Sequence, residues 1–494
     1  MTATAVPLSS PRSTRRWWML ATIGVAQLMV SLDSTIMNVA LPSIQDDLGF
    51  SDGVRSWILT AYALAFGSLL LGGGRLADRF GRRRVFFVGL IGFAVVSAIR
   101  GVAVDFGMLV AARAAQGVFA ALLTPATLAL VTTNFPHGPD RARAFGIYGA
   151  ISGAGGAIGL VVGGALTEYL SWRPTMFVNV FFAIPAVIAA FMLIAADEDS
   201  RRVRLDPFGT LTVSLGLFAL VYGLTNAGHD GLTAPLTIVL LASGVVLLVA
   251  FGLWQARASA PLLPLRVLVD RDRAGGLIVL FIGIAGLLAV ILLSVYYVQG
   301  VLGWSVVRTG IAFLPEPAAM VLAGVFVGPR LVRRLGAKVV VPVGLVVAAA
   351  GILLLTRLDG TSDYAYDILP TLVLLGLGLG LSLPVAIGLA TRGLRNDDAG
   401  VGSALVGTVQ QVGGSIGVAV INAIATSGAA AYFATATTSR TAPIDAIVYG
   451  DVRAFAVVVA LLVAAALVAG LLLRRRSREE EPAADSVQRE RISM

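Results

Sequence analysis

Three charged side chains stand inside apolar runs where charge is costly: Asp33, Arg113 and Glu316. Asp33 lies in Leu32-Asp33-Ser34-Thr35-Ile36-Met37-Asn38-Val39-Ala40-Leu41-Pro42, which closes an apolar stretch beginning near Trp17. An acid at that depth costs about 2.5–3.5 kcal/mol on insertion scales, which marks it for function. On a helix its neighbours one turn away are Met29 and Val30 on one side and Ile36 and Met37 on the other. Flexible, polarizable methionines beside an acid suit a pocket for varied apolar or cationic ligands. Met29, Met37, Asn38 and Gln116 are therefore candidates for a substrate cavity. The plainer alternative is an acid pinned by hydrogen bonds to a neighbouring helix, with Asn38 and Gln116 as cross-links between helices.

Arg113 falls in the fourth apolar run and Asp33 in the first, which travels in the opposite direction. A rise of about 1.5 Å per residue puts the two within one or two turns of similar depth. A guanidinium beside a carboxylate favours the ionised acid, and its withdrawal favours the protonated one. That is the physics of a proton-coupled cycle; a structural ion pair or an arginine reaching to the surface are the alternatives. Glu316, in Leu314-Pro315-Glu316-Pro317, stands between two prolines where a helix must break. It is a candidate for a second proton site or a cation site, the alternative being a residue near the outer entrance.

The elements that must position these groups are membrane helices. Of 494 residues, 57% are hydrophobic and 13% charged, and the mean hydropathy is +0.87. Soluble domains carry about 25% charged residues, so this is an all-α polytopic membrane protein. The net charge of +9 is explained by arginines in cytoplasmic loops and not by nucleic-acid binding. Cysteine is absent and the two histidines, His137 and His229, fall in loops, so no metal centre or cofactor is expected. A Gly-x-x-x-x-Gly-Lys-Ser/Thr phosphate loop is also missing, and an enzyme is not expected. The first apolar segment is too long for a signal peptide and reads as a retained helix.

Apolar runs of about 20 residues give fourteen spans, at about 17–41, 57–74, 85–104, 108–131, 143–166, 174–196, 207–227, 234–254, 274–298, 309–329, 339–356, 368–390, 400–427 and 452–473. An even count puts both termini on one side. With that side cytoplasmic, the external loops hold only Arg55, Arg100, Arg173, Arg308, Arg357, Arg440 and Arg453 of the 37 Lys/Arg residues, and Arg113 lies within a span. The other 29 face the cytoplasm, which sets the orientation in the cell membrane.

The chain also repeats itself. Gly73-Gly74-Arg75-Leu76-Ala77-Asp78-Arg79-Phe80-Gly81-Arg82 after the second span is echoed by Gly328-Pro329-Arg330-Leu331-Val332-Arg333-Arg334-Leu335-Gly336-Ala337 after the tenth, an offset of 255. Gly149, Gly155, Gly156 and Gly159 recur as Gly407, Gly413, Gly414 and Gly417, an offset of 258, and Pro125 recurs as Pro384. Three collinear matches describe two six-helix halves with two extra central helices between them. The expected division is an N-terminal tail (1–16), a first half (17–196), a linker with the extra helices (197–273), a second half (274–473) and a C-terminal tail (474–494). A substrate site belongs at the interface of the halves.

The segment Gly74-Arg75-Leu76-Ala77-Asp78-Arg79-Phe80-Gly81-Arg82-Arg83-Arg84 reads as a gating loop. Glycines allow a tight turn, and Asp78 can accept from arginines or a helix N-terminus and so latch the halves. The alternative is a basic stop-transfer loop. The segment resembles the inner loop between helices 2 and 3 of the major facilitator superfamily, with its Gly-x-Leu-Ala-Asp-Arg-x-Gly-Arg-Arg pattern. Fourteen spans narrow the resemblance to the drug:proton antiporter branch. Asp33 lies in a stretch like that branch's Leu-Asp-x-Thr-Ile-x-Asn-Val-Ala-Leu-Pro end of helix 1. Trp57-Ile58-Leu59-Thr60-Ala61-Tyr62-Ala63-Leu64 looks like its helix 2 start, Arg113-Ala114-Ala115-Gln116-Gly117 resembles its helix 4 motif, and Trp172-Arg173-Pro174-Thr175-Met176-Phe177-Val178-Asn179 is similar to the start of its helix 6.

The resemblance implies a major facilitator fold and proton-driven efflux of hydrophobic or cationic drugs by alternating access. Asp33, Arg113 and Glu316 would couple protons or hold substrate, and Gly74, Asp78, Arg79, Gly81, Arg82 and Arg83 would form the gate. The implied partners are a small-molecule substrate, protons and the lipid bilayer, for a monomeric carrier. The helix 5 antiporter motif is represented by Gly155, Gly159, Gly163 and Gly164, but Leu160 stands where the family pattern has proline. The alternatives are a dedicated exporter of one metabolite or antibiotic, a carrier without proton coupling and, more remotely, a non-transporting membrane receptor or scaffold.

Overall fold

The computed structural model describes residues 11–50, 57–135, 138–195, 206–231, 233–259, 261–263, 270–359, 362–392, 399–435 and 442–474, and every regular element among them is a helix. The expected tails, 1–16 and 474–494, fall largely outside the described residues. The first group is α1 (Pro11–Leu48), α2 (Trp57–Phe80), α3 (Arg82–Gly101), α4 (Phe106–Asn134), α5 (Gly138–Tyr169) and α6 (Trp172–Leu193). The extra pair follows, α7 (Pro207–Asp230) and α8 (Pro235–Gln255). The second group is α9 (Arg271–Gly300), α10 (Val306–Phe313), α11 (Pro315–Val321), α12 (Gly328–Leu335), α13 (Ala337–Leu355), α14 (Leu369–Ala390), α15 (Ala399–Thr435) and α16 (Ala442–Leu472).

Among the described residues, fourteen spans are long and apolar enough to cross a membrane, and α10 to α12 together form the tenth. That span is broken as its sequence requires. Pro315 and Pro317 lack backbone donors, so α10 stops at Phe313 and α11 restarts at Pro315. A π-helical turn, Leu322–Val327, then joins α11 to α12. Elsewhere acids supply the missing first-turn acceptors: Asp105 accepts from the Met108 amide at 2.8 Å, and Asp270 from that of Arg273 at 3.0 Å.

Within the first group α2 packs on α4, α1 on α5 and α6, and α3 on α4 and α6. Within the second, α9 packs on α14, α15 and α16, and α13 on α14 and α16. The groups meet along two seams: α2 against α15, and α5 against α10–α12 and α14. An even number of crossings brings α1 and α16 back to one face, here the terminal face; the opposite one is the distal face.

The internal repeat has a structural counterpart. Gly81 at φ 95° and Gly336 at φ 80° both turn the chain between two spans in a region that disfavours side chains. Apart from Gly81, the Gly74–Arg84 segment is not the loop expected from its composition. Residues through Phe80 continue α2, and α3 begins at Arg82. Gly73 explains why the helix survives its glycines: a Cβ there would fall 2.0 Å from the Ala121 carbonyl, so the glycine lets α2 and α4 approach.

Candidate functional site

Asp33 is fully buried within the first group, and four helices converge on it. From α3, Arg100 places Nη2 2.5 Å from Oδ1 and Nη1 3.3 Å from Oδ2. From α4, Arg113 donates Nη1 to Oδ2 at 2.8 Å, and Gln116 donates Nε2 to Oδ1 at 3.1 Å. From α6, Asn179 donates Nδ2 to Oδ1 at 2.7 Å. One carboxylate thus faces two guanidinium groups and two amides, a charge-assisted arrangement of the strong kind.

Secondary contacts hold the donors in place. Gln116 Oε1 accepts from Arg100 at 2.5 Å and from Arg113 at 3.0 Å. Ser97 Oγ accepts from Gln116 at 3.2 Å and from Asn179 at 2.8 Å. Arg113 also donates Nε to the Ile58 carbonyl at 3.0 Å, and its guanidinium lies 4.4 Å from the centre of the Tyr62 ring. The cluster carries one positive charge in excess of its carboxylate. Arg100 Nε and Asn179 Oδ1 find no partner within it.

The opposite face of α1 is clasped by the helix 5 glycines. A Cβ on Gly155 would lie 2.6 Å from Ser31 Cβ, one on Gly159 1.9 Å from Thr35 Oγ1, and one on Gly163 3.0 Å from Ile36 Cα. Glycines four apart form a groove into which α1 sinks. Gly164 turns the other way: a Cβ on it would lie 3.2 Å from Val307 of α10, and one on Gly310 of α10 would lie 3.2 Å from Leu160 Cβ. The second group repeats the clasp, with Gly413 and Gly417 of α15 against Phe281 and Ala285 of α9. α5 is therefore the plate between the helix of Asp33 and the other half.

The remaining sequence candidates are dispersed. Met29 is fully buried in an apolar core that runs through both groups, Met37 in a smaller one within the first group, and Gln116 belongs to the Asp33 cluster. The side chain of Asn38 lies outside the described residues. Glu316 is not brought to Asp33: it begins α11 in the second group, with its carbonyl beneath Gly376 of α14. It is 4% exposed, and its Oε1 has no hydrogen-bond partner among the described residues. In the gate segment Gly74 is buried in α2, Asp78 pairs with Arg82 at 3.6 Å, Arg79 lies over Phe80, and Arg83 donates to the Phe191 carbonyl at 3.3 Å.

Sequence reasoning missed Arg100, which it counted among external-loop arginines. It is the last arginine of α3 and is fully buried. Its signal was its place inside the apolar run 85–104. Ser97 and the buried acid Asp451 of α16, whose Oδ2 lacks a partner among the described residues, were missed too.

The family description Major Facilitator Superfamily matches residues 23–418. The chain is 45% identical to the puromycin resistance protein pur8 of Streptomyces alboniger, with 92% of each chain covered. It is 36% identical to the cephamycin export protein CmcT of Amycolatopsis lactamdurans, over 82% of this chain and 84% of that one. It is 30% identical to the multidrug efflux pump LfrA of Mycolicibacterium smegmatis, over 85% and 83%. The crystal structure of the human organic anion transporter MFSD10 superposes with a TM-score of 0.63 at 15% identity, covering 93% of this chain and all of that one; the likeness is one of fold.

Proposed function

The chain belongs to the Major Facilitator Superfamily, and from that premise we propose that it is a proton-driven exporter of hydrophobic or cationic drugs or antibiotics. It works in the cell membrane by alternating access, with its terminal face in the cytoplasm. The observation that carries the reading is the contrast between two buried acids, one in each of two halves that meet along seams. Asp33 is offset by Arg100 and Arg113, while Glu316 Oε1 is buried without a donor among the described residues.

Burying a charge without a counter-charge costs several kcal/mol, whereas a neutral acid escapes most of that cost. Glu316 is on this ground the better placed of the two to carry a proton. Asp33 keeps its charge as long as both guanidinium groups stay, so it acts as the hub that moves α1, α3, α4 and α6 as one body. Substrate export then follows from rocking that body against the second group through α5. The names of the relatives support the substrate class: one is a puromycin resistance protein and another a multidrug efflux pump.

A dedicated exporter of one antibiotic is the second reading, favoured by the single compounds that name pur8 and CmcT. Expression in an efflux-deficient host separates the two. Raised resistance to puromycin together with structurally unrelated lipophilic cations supports the broad exporter. Resistance to a single compound supports the dedicated one, and unchanged resistance to every compound contradicts both.

A further inference from the structure

The two seams between the halves are unlike each other. At the α2–α15 seam, α7 packs against both helices. Gly67 of α2 marks the junction: a Cβ there would lie 3.3 Å from Gln411 of α15 and 3.9 Å from Val221 of α7. Toward the distal face the rings of Trp57 and Tyr222 meet at 5.5 Å, and toward the terminal face Gly72 lies against Thr210. α7 therefore follows α2 along most of its length. Its base is fastened as well. Asp206 caps α7 and accepts from Gln255 of α8 at 2.8 Å, Gln255 accepts from the Leu263 amide at 3.0 Å, and Arg75 of α2 donates to the Pro261 carbonyl at 3.1 Å. Val239, Val246 and Leu253 of α8 point outward, as lipid-facing residues do.

Among the described residues no further helix packs over the α5–α10 seam as α7 does over the other, and at its distal end a cleft of about 570 Å³ opens. That volume lies within the range of small-molecule sites, roughly 300–1,000 Å³. Glu168 and Tyr169 of α5 form one wall, and Trp304, Arg308, Ile311 and Tyr364 the other. The Trp304 and Tyr364 ring centres are 5.2 Å apart, and the Tyr364 hydroxyl donates to the Ala312 carbonyl at 2.5 Å, which fixes the ring. Arg308 lies 3.8 Å from the centre of the Trp304 ring. One carboxylate and one guanidinium leave the lining without net charge, so the aromatic faces dominate what it can hold.

We propose that this cleft holds a planar aromatic substrate on the distal side of its route, the α2–α15 seam being closed to such molecules by α7. The assignment rests on the exporter reading and adds to it a site and a side of the bundle.

The chain has no cysteine, so single cysteines can be introduced without background. Ile311→Cys reports on the cleft and Val239→Cys on the outward face of α8. Each purified variant, in lipid nanodiscs, is labelled with a maleimide in the presence and absence of ethidium, a planar aromatic cation. The expected result is labelling of Ile311→Cys slowed at least threefold by saturating ethidium, no change at Val239→Cys, and loss of the protection when Trp304→Ala is added. Equal labelling rates at Ile311→Cys with and without ethidium overturn the proposal, as does equal slowing at both positions or protection that survives Trp304→Ala. Ethidium efflux from cells carrying unlabelled Ile311→Cys reports separately on the exporter reading, because protection requires binding and not transport.

Discussion

Asp33 and Arg100 are 67 positions apart in the chain and share two contacts inside the bundle, at 2.5 and 3.3 Å. The pair ties α1 to α3, and Arg113 extends the tie to α4. Removing Asp33 leaves two guanidinium groups buried without their counter-charge, at a cost of about 3–5 kcal/mol, while removing Arg100 strips the carboxylate of two charge-assisted hydrogen bonds and leaves it to Arg113. Arg100→Ala is therefore expected to lower the thermal midpoint of the purified protein and to cut efflux at least tenfold. The double variant Asp33→Asn with Arg100→Gln should be less destabilised than the sum of its singles. Additive losses in that cycle would mean that the pair carries no coupling.

Glu316→Gln keeps the size and removes the charge of the acid in α11. Expression and thermal midpoint are expected to stay near wild type, because Oε1 has no donor to lose among the described residues. Substrate should still move down its own gradient, while uphill accumulation driven by ΔpH falls at least tenfold. Intact ΔpH-driven accumulation would remove Glu316 from the coupling scheme.

Two glycines three apart on α5 should respond unequally. Gly159→Ala drives a Cβ to within 1.9 Å of Thr35 Oγ1 and 2.8 Å of the Leu32 carbonyl, which is overpacking worth about 1–3 kcal/mol. Gly156→Ala meets only Thr35 Cγ2 at 3.7 Å, and its effect should stay within about 0.5 kcal/mol. Melting of both variants in one detergent checks the contrast.

Asp206, just before α7, offers a pH signature outside the spans. Burial alone would raise its pKa, but the Gly209 amide, Gln255 and Trp254 outweigh it and hold the carboxyl below the ordinary carboxylate value. A lowered folded-state pKa contributes stability that is full above the unfolded value and fades as pH falls through the folded one. Asp206→Asn should therefore lower the thermal midpoint at neutral pH, and the difference from wild type should shrink below the ordinary carboxylate range. A constant difference down to the lowest pH would contradict the assignment.

Much of this was legible in the chain. Hydropathy alone gave fourteen spans, and the Gly81–Gly336 match at offset 255 became a pair of turns with the same backbone sign. The similar depth of Asp33 and Arg113 followed from topology and helical rise, and their contact from the packing of α1 on α4. Arg100 was hidden because loop-charge counting treats an arginine near a helix end as exposed, whereas Asp33 supplies the counter-charge that lets it stay inside. The gate segment was misjudged because glycine content reads as loop; Gly73 serves helix contact instead. The groove of Gly155, Gly159 and Gly163 was visible as spacing, but its partner, Ser31–Ile36, is set by tertiary packing that spacing does not reveal.

Proton coupling is the central claim, and everted membrane vesicles test it most directly. With the interior acidified, vesicles carrying the protein are expected to accumulate ethidium, and collapsing ΔpH with nigericin should abolish that accumulation. Accumulation that persists unchanged after the collapse would contradict a proton-driven exporter.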